Sequence, residues 1–232
     1  MFKQKRREFI QSGSVMALGV LAGTAHVREN QEAKKAKQHP ALLDAFMTRR
    51  SVRHYTGEPV PDEHIMKILD CARMAPTAGN QQPWKFIVTR DPQVISRLKE
   101  TCISNSISGF KERGNPTEAQ LKERTEKIGE YYEKCFSSPV YITVLTDKKS
   151  RYPTYNHWDG PLAAANLMIA ARALGYGTVF YTDSVPDSVT KEVLNIPDRY
   201  ERVCFTPVGI PVEWPETPEK KPYDSFIVEN TF

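Results

Sequence analysis

Arg49, Arg50, Ser51 and Arg53 put three guanidiniums and a hydroxyl into five residues. The planar fork of arginine makes two parallel charge-assisted bonds to a phosphate, which a lysine ammonium cannot do. Further along runs Ala75-Pro76-Thr77-Ala78-Gly79-Asn80-Gln81-Gln82-Pro83-Trp84, and then an apolar stretch, Lys85-Phe86-Ile87-Val88-Thr89. A loop of small and amide residues can lie against a flat polar ring and offer amides to its edge. Taken singly, each segment has a plainer reading. Leu42, Leu43, Phe46 and Met47 fall at helical spacing before the arginines, so the cations also suit the last turn of a helix. Asn, Gly and Pro are ordinary residues of a helix-to-strand turn.

Together they describe a phosphate at one end and a flat ring at the other, as in flavin mononucleotide. In this order and spacing the two segments resemble the FMN-dependent nitroreductase family, over residues 41–232. The resemblance implies an α+β, nitroreductase-like fold. A central, mostly antiparallel β-sheet would be flanked by helices, with a domain-swapped C-terminal arm and a homodimer holding FMN at its interface. It further implies that Arg49, Arg50, Ser51 and Arg53 bind the flavin phosphate and the N1/O2 edge, with Arg53 tuning N1/O2. Pro76, Thr77, Asn80 and Gln82 would contact the flavin of the other subunit, Thr77 standing where Ser is usual. Asp183 and Ser184 fall beside flavin N5, Ser184 in place of Gly, and Lys220 falls where an arginine usually reaches the phosphate.

The implied chemistry is ping-pong two-electron transfer through flavin N5. The donor would be NAD(P)H or another reductant, and the acceptor a small aromatic, quinone or nitro compound. No side chain is nominated as catalytic, since the isoalloxazine carries the reaction and the protein orients and tunes it. Alternatives within the superfamily are a reductive dehalogenase and a flavin-fragmenting enzyme; another is a non-catalytic electron-relay module. A dehalogenase needs a lid, for which Tyr131, Tyr132 and Lys134 offer themselves, although a solvated helix face is the simpler expectation for them. Tyr152, Tyr155, His157 and Trp158 either line an entrance or cover the core.

The supporting elements follow from periodicity. Helices are expected at 41–49, 62–74, 92–103 and 186–194, and strands at 84–89, 139–145, 178–181 and 202–208. Thr117-Glu118-Ala119-Gln120 reads as a capping box opening a helix to Phe136, after a linker over 104–116. Residues 162–174, a run of small side chains whose end at Gly175 suits a left-handed cap, resemble the central helix of the same family. The arm over 212–232 is rich in proline and charge, yet ends on Phe226-Ile227-Val228.

The chain has 232 residues, which fits one domain with appendages. Lys5-Arg6-Arg7-Glu8-Phe9-Ile10 and the apolar stretch behind it resemble a twin-arginine export signal over 1–25, followed by a polar linker over 26–40. That export route carries folded proteins, so FMN would be inserted before export to a periplasmic or extracytoplasmic site. A leader that does not function leaves the protein cytoplasmic. Removing Lys3, Lys5, Arg6, Arg7 and Glu8 takes the formal charge from +4 to +1. No nucleic-acid patch is expected, and no stable membrane span in the mature form. Cys71, Cys102, Cys135 and Cys204 make no Cys-x-x-Cys, and the five histidines form no ligand cluster, so no metal site is expected. Cys71 and Cys204 read as buried thiols.

Overall fold

A computed structural model describes residues 40–231. The expected leader, and its tether up to residue 39, lie outside the described residues. Helices α1 (Pro40–Thr48) and α2 (Asp62–Ala72) precede strand β1 (Trp84–Thr89). Helices α3 (Pro92–Glu112) and α4 (Glu118–Cys135) form a hairpin, and β2 (Val140–Asp147) follows. Helix α5 (Asn156–Ala173), short helix α6 (Asp187–Val193) and β3 (Tyr200–Val208) complete the order.

The three strands form an antiparallel sheet in the order β1-β2-β3. Strand β2 lies in the middle, and its alternation divides the core. Val140, Ile142 and Val144 point into one apolar cluster with Ile65 and Ile68 of α2 and Leu167 of α5. Tyr141 points the other way, stacks on Phe205 at 5.0 Å, and joins Leu98, Ile128, Tyr132 and Val189 of α3, α4 and α6. This is the period-2 pleat of a strand buried on both faces. Each fully buried aliphatic side chain contributes about 1.5–3 kcal/mol. Helix α5 reaches the sheet through Gly160, where an added Cβ would stand 2.4 Å from Val203 Cγ2 and 2.9 Å from Thr146 Cγ2.

Several expectations are corrected. Helix α3 runs on to Glu112, because Ile103, Ile107 and Phe110 continue its apolar spacing; the linker shortens to residues 113–117. Helix α5 begins at Asn156, with Pro161 inside it. Residues 178–181 make no continuous strand. They attach by single bridges, Gly177 to Gly209 and Tyr181 to Phe205, with Ser51 bridging to Thr178 beyond them. The apolar stripe of α1 faces outward: Leu42, Leu43, Phe46 and Met47 are exposed, and Ala45 is buried. Cys71 is exposed, lying off the Ile65–Ile68–Ala72 face; Cys102, Cys135 and Cys204 are buried, and all four are free thiols. The capping box is formed by Thr117 and Gln120, β1 spans the expected residues, and Gly175 has φ +88°. Among the described residues no helix is long and apolar enough to cross a membrane, and no cluster of three or more His, Cys, Asp or Glu could hold a metal ion.

Candidate active site

The basic segment begins where α1 ends. Arg50 turns back on that helix and donates from Nη1 to the carbonyls of Met47 (2.9 Å) and Arg49 (2.8 Å), and from Nη2 to the Thr217 hydroxyl. It therefore caps the helix C-terminus and ties down the start of the arm. Arg172, in the last turn of α5, donates to Thr48 Oγ1 (2.8 Å) and lies 4.0 Å over the Trp214 ring. Val52 N donates to Thr178 O (3.0 Å), which fixes the segment to the sheet margin. Among the described residues the arginines paired with carboxylates are Arg73, Arg90, Arg199 and Arg202. Arg53 is exposed, Arg49 and Arg50 are half-buried, and none of the three has a carboxylate partner among the described residues, which leaves positive charge for an anion. Lys220 is exposed on the arm and makes no hydrogen bond with a described residue.

The amide loop is held differently. Gly79, Asn80 and Gln82 have φ of +54°, +53° and +51°. Three left-handed residues in four are costly for side-chain-bearing positions and persist only where the surroundings fix them. The fixing residue is Gln81. Its Nε2 donates to Tyr152 O (3.0 Å) and to Asp159 Oδ2 (2.7 Å), while its Oε1 accepts from Tyr152 N (2.6 Å). Asp159 is buried at 3% exposure, and its Oδ1 accepts from Ala78 N (3.0 Å). Thr77 Oγ1 accepts from Gln82 N (3.1 Å), which leaves its hydroxyl proton free to donate outward. Pro76, Asn80 and Gln82 are exposed. Tyr152 packs on this loop, and an added Cβ at Gly79 would meet its ring at 2.7 Å. Tyr155 and Trp158 continue the aromatic cluster, with ring centroids 5.3 Å apart.

The third segment is the loop 182–185. Arg202 of β3 donates to Val185 O (2.6 Å) and Thr182 O (2.9 Å). From the other side, Tyr131 Oη donates to Ser184 Oγ (2.9 Å) and Tyr132 Oη to Ser184 O (2.9 Å). Ser184 is therefore gripped between β3 and α4, while Asp183 is exposed. Tyr132 is a buried anchor, also bonded to Ser106 Oγ (3.0 Å); the expectation of a solvated helix face is wrong for it, because its ring joins the core beneath α4. A pocket of about 280 Å³ opens beside this grip, lined by Ser51, Arg53, Tyr131, Lys134, Cys135 and Glu213 among others. Burial pushes the Cys135 thiol up, partly offset by the Tyr181 hydroxyl bonded to its sulfur (3.2 Å). Cys135 is thus a neutral thiol rather than a nucleophile at pH 7.

Gln81, Asp159, Arg172 and Arg202 were not expected at the site from the sequence. Each acts through partners far away in the chain, so no local sequence signal marked it. The phosphate-type segment and the amide loop also lie apart. Arg172 holds Thr48, just before the first, and Asp159 holds the second; the two anchors stand at opposite ends of α5, about 20 Å apart along its axis.

Comparison with known proteins gives these arrangements a context. Residues 46–210 match the Nitroreductase family. A relative from Archaeoglobus fulgidus, described provisionally as an NADH dehydrogenase/NAD(P)H nitroreductase, is 31% identical over 174 residues, covering 73% of this chain and 84% of its own. The iodotyrosine deiodinase of Thermotoga neapolitana is 29% identical over 196 residues, covering 82% of this chain and 98% of its own. A crystal structure of oxidised iodotyrosine deiodinase bound to FMN and 3-iodo-L-tyrosine superposes with a TM-score of 0.65 at 27% identity, over 82% of this chain and all of that one. The bridged sheet, the arginine segment after α1 and the clasped amide loop are thus features of a chain that belongs to the Nitroreductase family.

Proposed function

We propose that the protein is an FMN-dependent oxidoreductase that passes two electrons, as hydride, from a reduced donor to a small flat acceptor, and that it does so as a homodimer. The carrying observation is the separation of the two motif segments. Their anchors stand about 20 Å apart along α5, close to the full length of an FMN molecule, so a single copy would have to stretch one flavin end to end between them. A second copy resolves this, and the outward stripe of α1 supports it. Phe46 and Met47 are 54% and 75% exposed, and Phe226, Ile227 and Val228 of the arm are exposed as well. Apolar surface on that scale marks an interface.

The residues present fit FMN. Arg49 and Arg53 hold uncompensated charge for a phosphate and for the N1/O2 edge. The left-handed loop turns the Thr77 hydroxyl and the side chains of Asn80 and Gln82 outward from a rigid clasp. When bound, FMN supplies reversible two-electron transfer at N5. Arg53 would stabilise negative charge at one edge of the ring. Arg202, Tyr131 and Tyr132 would fix the backbone around Ser184 beside it. The leader over 1–25 supports export of the folded, FMN-loaded protein, with NAD(P)H or an extracytoplasmic reductant as donor.

Subunit complementation tests this reading. Arg49→Ala and Asn80→Ala variants should each lose FMN affinity, Arg49→Ala by about 1.5–3 kcal/mol. Unfolded together and refolded, the mixture should regain tight sites, because each mixed dimer carries one site with neither substitution. No regain would place both residues in one site of one chain and overturn the shared flavin. A second reading, reductive dehalogenation, draws support from the deiodinase relatives and from Tyr131 and Tyr132 standing over Ser184. Halide release from an iodophenol under a reduced donor would select it.

A further inference from the structure

We infer that the groove between α3 and α4 is a subsite for the anionic end of the acceptor, so that the preferred acceptor is a flat aromatic carrying a carboxylate or sulfonate. This rests on the flavin edge lying at Arg53. Gln120, Arg124, Lys127 and Tyr131 recur at helical spacing along one face of α4. They face Ser106, Phe110 and Arg113 of the hairpin across adjoining hollows. One, of about 380 Å³, is lined by Ser106, Arg124, Lys127, Ile128, Tyr131 and Tyr132. The next, of about 490 Å³, runs past Phe110, Arg113 and Gln120, and Arg124 lines both.

The charge of this groove is directional. Arg124 has no carboxylate partner among the described residues and stands 5.8 Å from the Phe110 ring, so its fork is oriented but not neutralised. Arg113 spends its Nε on Gly109 O (2.9 Å) and likewise has no carboxylate partner among the described residues. Lys127 pairs with Glu123 (2.6 Å), which lines a third, adjoining hollow with Phe110 and Arg124, so the net positive charge of the groove comes from the two arginines. A net positive groove with one bidentate cation suits a carboxylate or sulfonate better than a neutral group.

Tyr131 connects this groove to the flavin side. It lines both the Arg124 hollow and the Arg53 pocket. Lys127 lies one turn from Tyr131 along α4 and Arg124 two turns, about 6 and 10 Å. A ring against Tyr131 with an acid group on its far edge spans that interval. Nitroaromatic acids have these dimensions, and their neutral amides supply a control of equal shape.

The test is calorimetric titration of the purified protein, after incubation with FMN, with 4-nitrobenzoate and with 4-nitrobenzamide at low ionic strength. The carboxylate should bind about 10- to 100-fold more tightly than the amide, the range expected for a charge-assisted hydrogen bond. Arg124→Gln combined with Lys127→Gln should erase that preference, lowering carboxylate affinity far more than amide affinity, with FMN content unchanged. Lys122→Gln, an exposed cation on the same helix that lines neither hollow, should leave the preference intact. Equal affinity for the two ligands, or a preference that survives in the double variant or falls equally in Lys122→Gln, overturns the subsite. Protein that takes up no FMN defeats the flavin reading instead, and the anion preference measured on that same protein still decides the groove.

Discussion

Asp159→Asn is a change of one atom whose effect follows from the clasp around the amide loop. The Asp159 carboxylate accepts from two donors at once, Ala78 N at 3.0 Å and Gln81 Nε2 at 2.7 Å. An asparagine can keep one of these with its oxygen, but it must then turn its NH₂ toward the other donor. Gln81 cannot rotate to accommodate it. Its amide is locked by Tyr152, whose N–H donates to Oε1 and whose carbonyl accepts from Nε2. The substitution therefore removes one charge-assisted bond, worth about 1.5–3 kcal/mol, and opposes two donors at a buried position. Water can reach half-buried Gln81 and relieve part of the conflict, so the net loss should be about 2–4 kcal/mol. For a domain of this size that is a fall in Tm of about 5–15 °C. Thermal unfolding monitored by circular dichroism measures it. A double-mutant cycle with Gln81→Ala then isolates the cause: with Gln81 gone, Asp159→Asn should cost about 1–2 kcal/mol less. A Tm within a degree of the parent, or strictly additive substitutions, would refute the clasp.

The buried guanidinium of Arg202 makes a second prediction. Arg202→Met removes both bonds to the 182–185 loop and should destabilise the protein by about 2–4 kcal/mol, with Arg202→Lys recovering little; amide exchange at 181–185 should speed up in both. The thiols should differ in reactivity. Burial pushes Cys102 and Cys204 up to about 12, while Cys71 is exposed, so iodoacetamide at pH 8 should label Cys71 first in native protein, as read by peptide mass mapping. Arg199, donating from Nε to Asp147 Oδ1 at 2.8 Å, holds that carboxyl below its usual range. Because the folded value is depressed, the stabilisation is present above the unfolded Asp value, about 3.9, and is lost as pH falls through the folded one. The stability gap between the parent and Asp147→Asn should hold constant from pH 7 to 5 and close only below about 4.

What the sequence made legible was what local chemistry determines. Strand β1, the Thr117–Gln120 box and the left-handed Gly175 each depend on residues within a few positions of one another. The types of Arg49, Arg53, Asn80 and Gln82 marked two segments, but not that opposite ends of α5 keep them apart. Gln81 looked like its neighbour Gln82. Its role comes from Tyr152 and Asp159, 71 and 78 positions away, which no local pattern reveals. Arg202 reads as an outward residue of a strand, yet it reaches across to Thr182 and Val185 because the 178–181 segment attaches by bridges rather than a full ladder. The outward stripe of α1 is the converse case. Helical periodicity reports an apolar face without saying whether the chain itself or a second copy covers it.

The most direct measurement is the visible absorption spectrum of the purified protein, recorded anaerobically before and after addition of NADH or NADPH. The account predicts a protein-bound flavin band near one FMN per chain that bleaches with donor and returns when a nitroaromatic or quinone is added. A band that no reductant bleaches would keep the cofactor and contradict catalysis. Protein that shows no flavin band, even after incubation with FMN, would contradict the central claim.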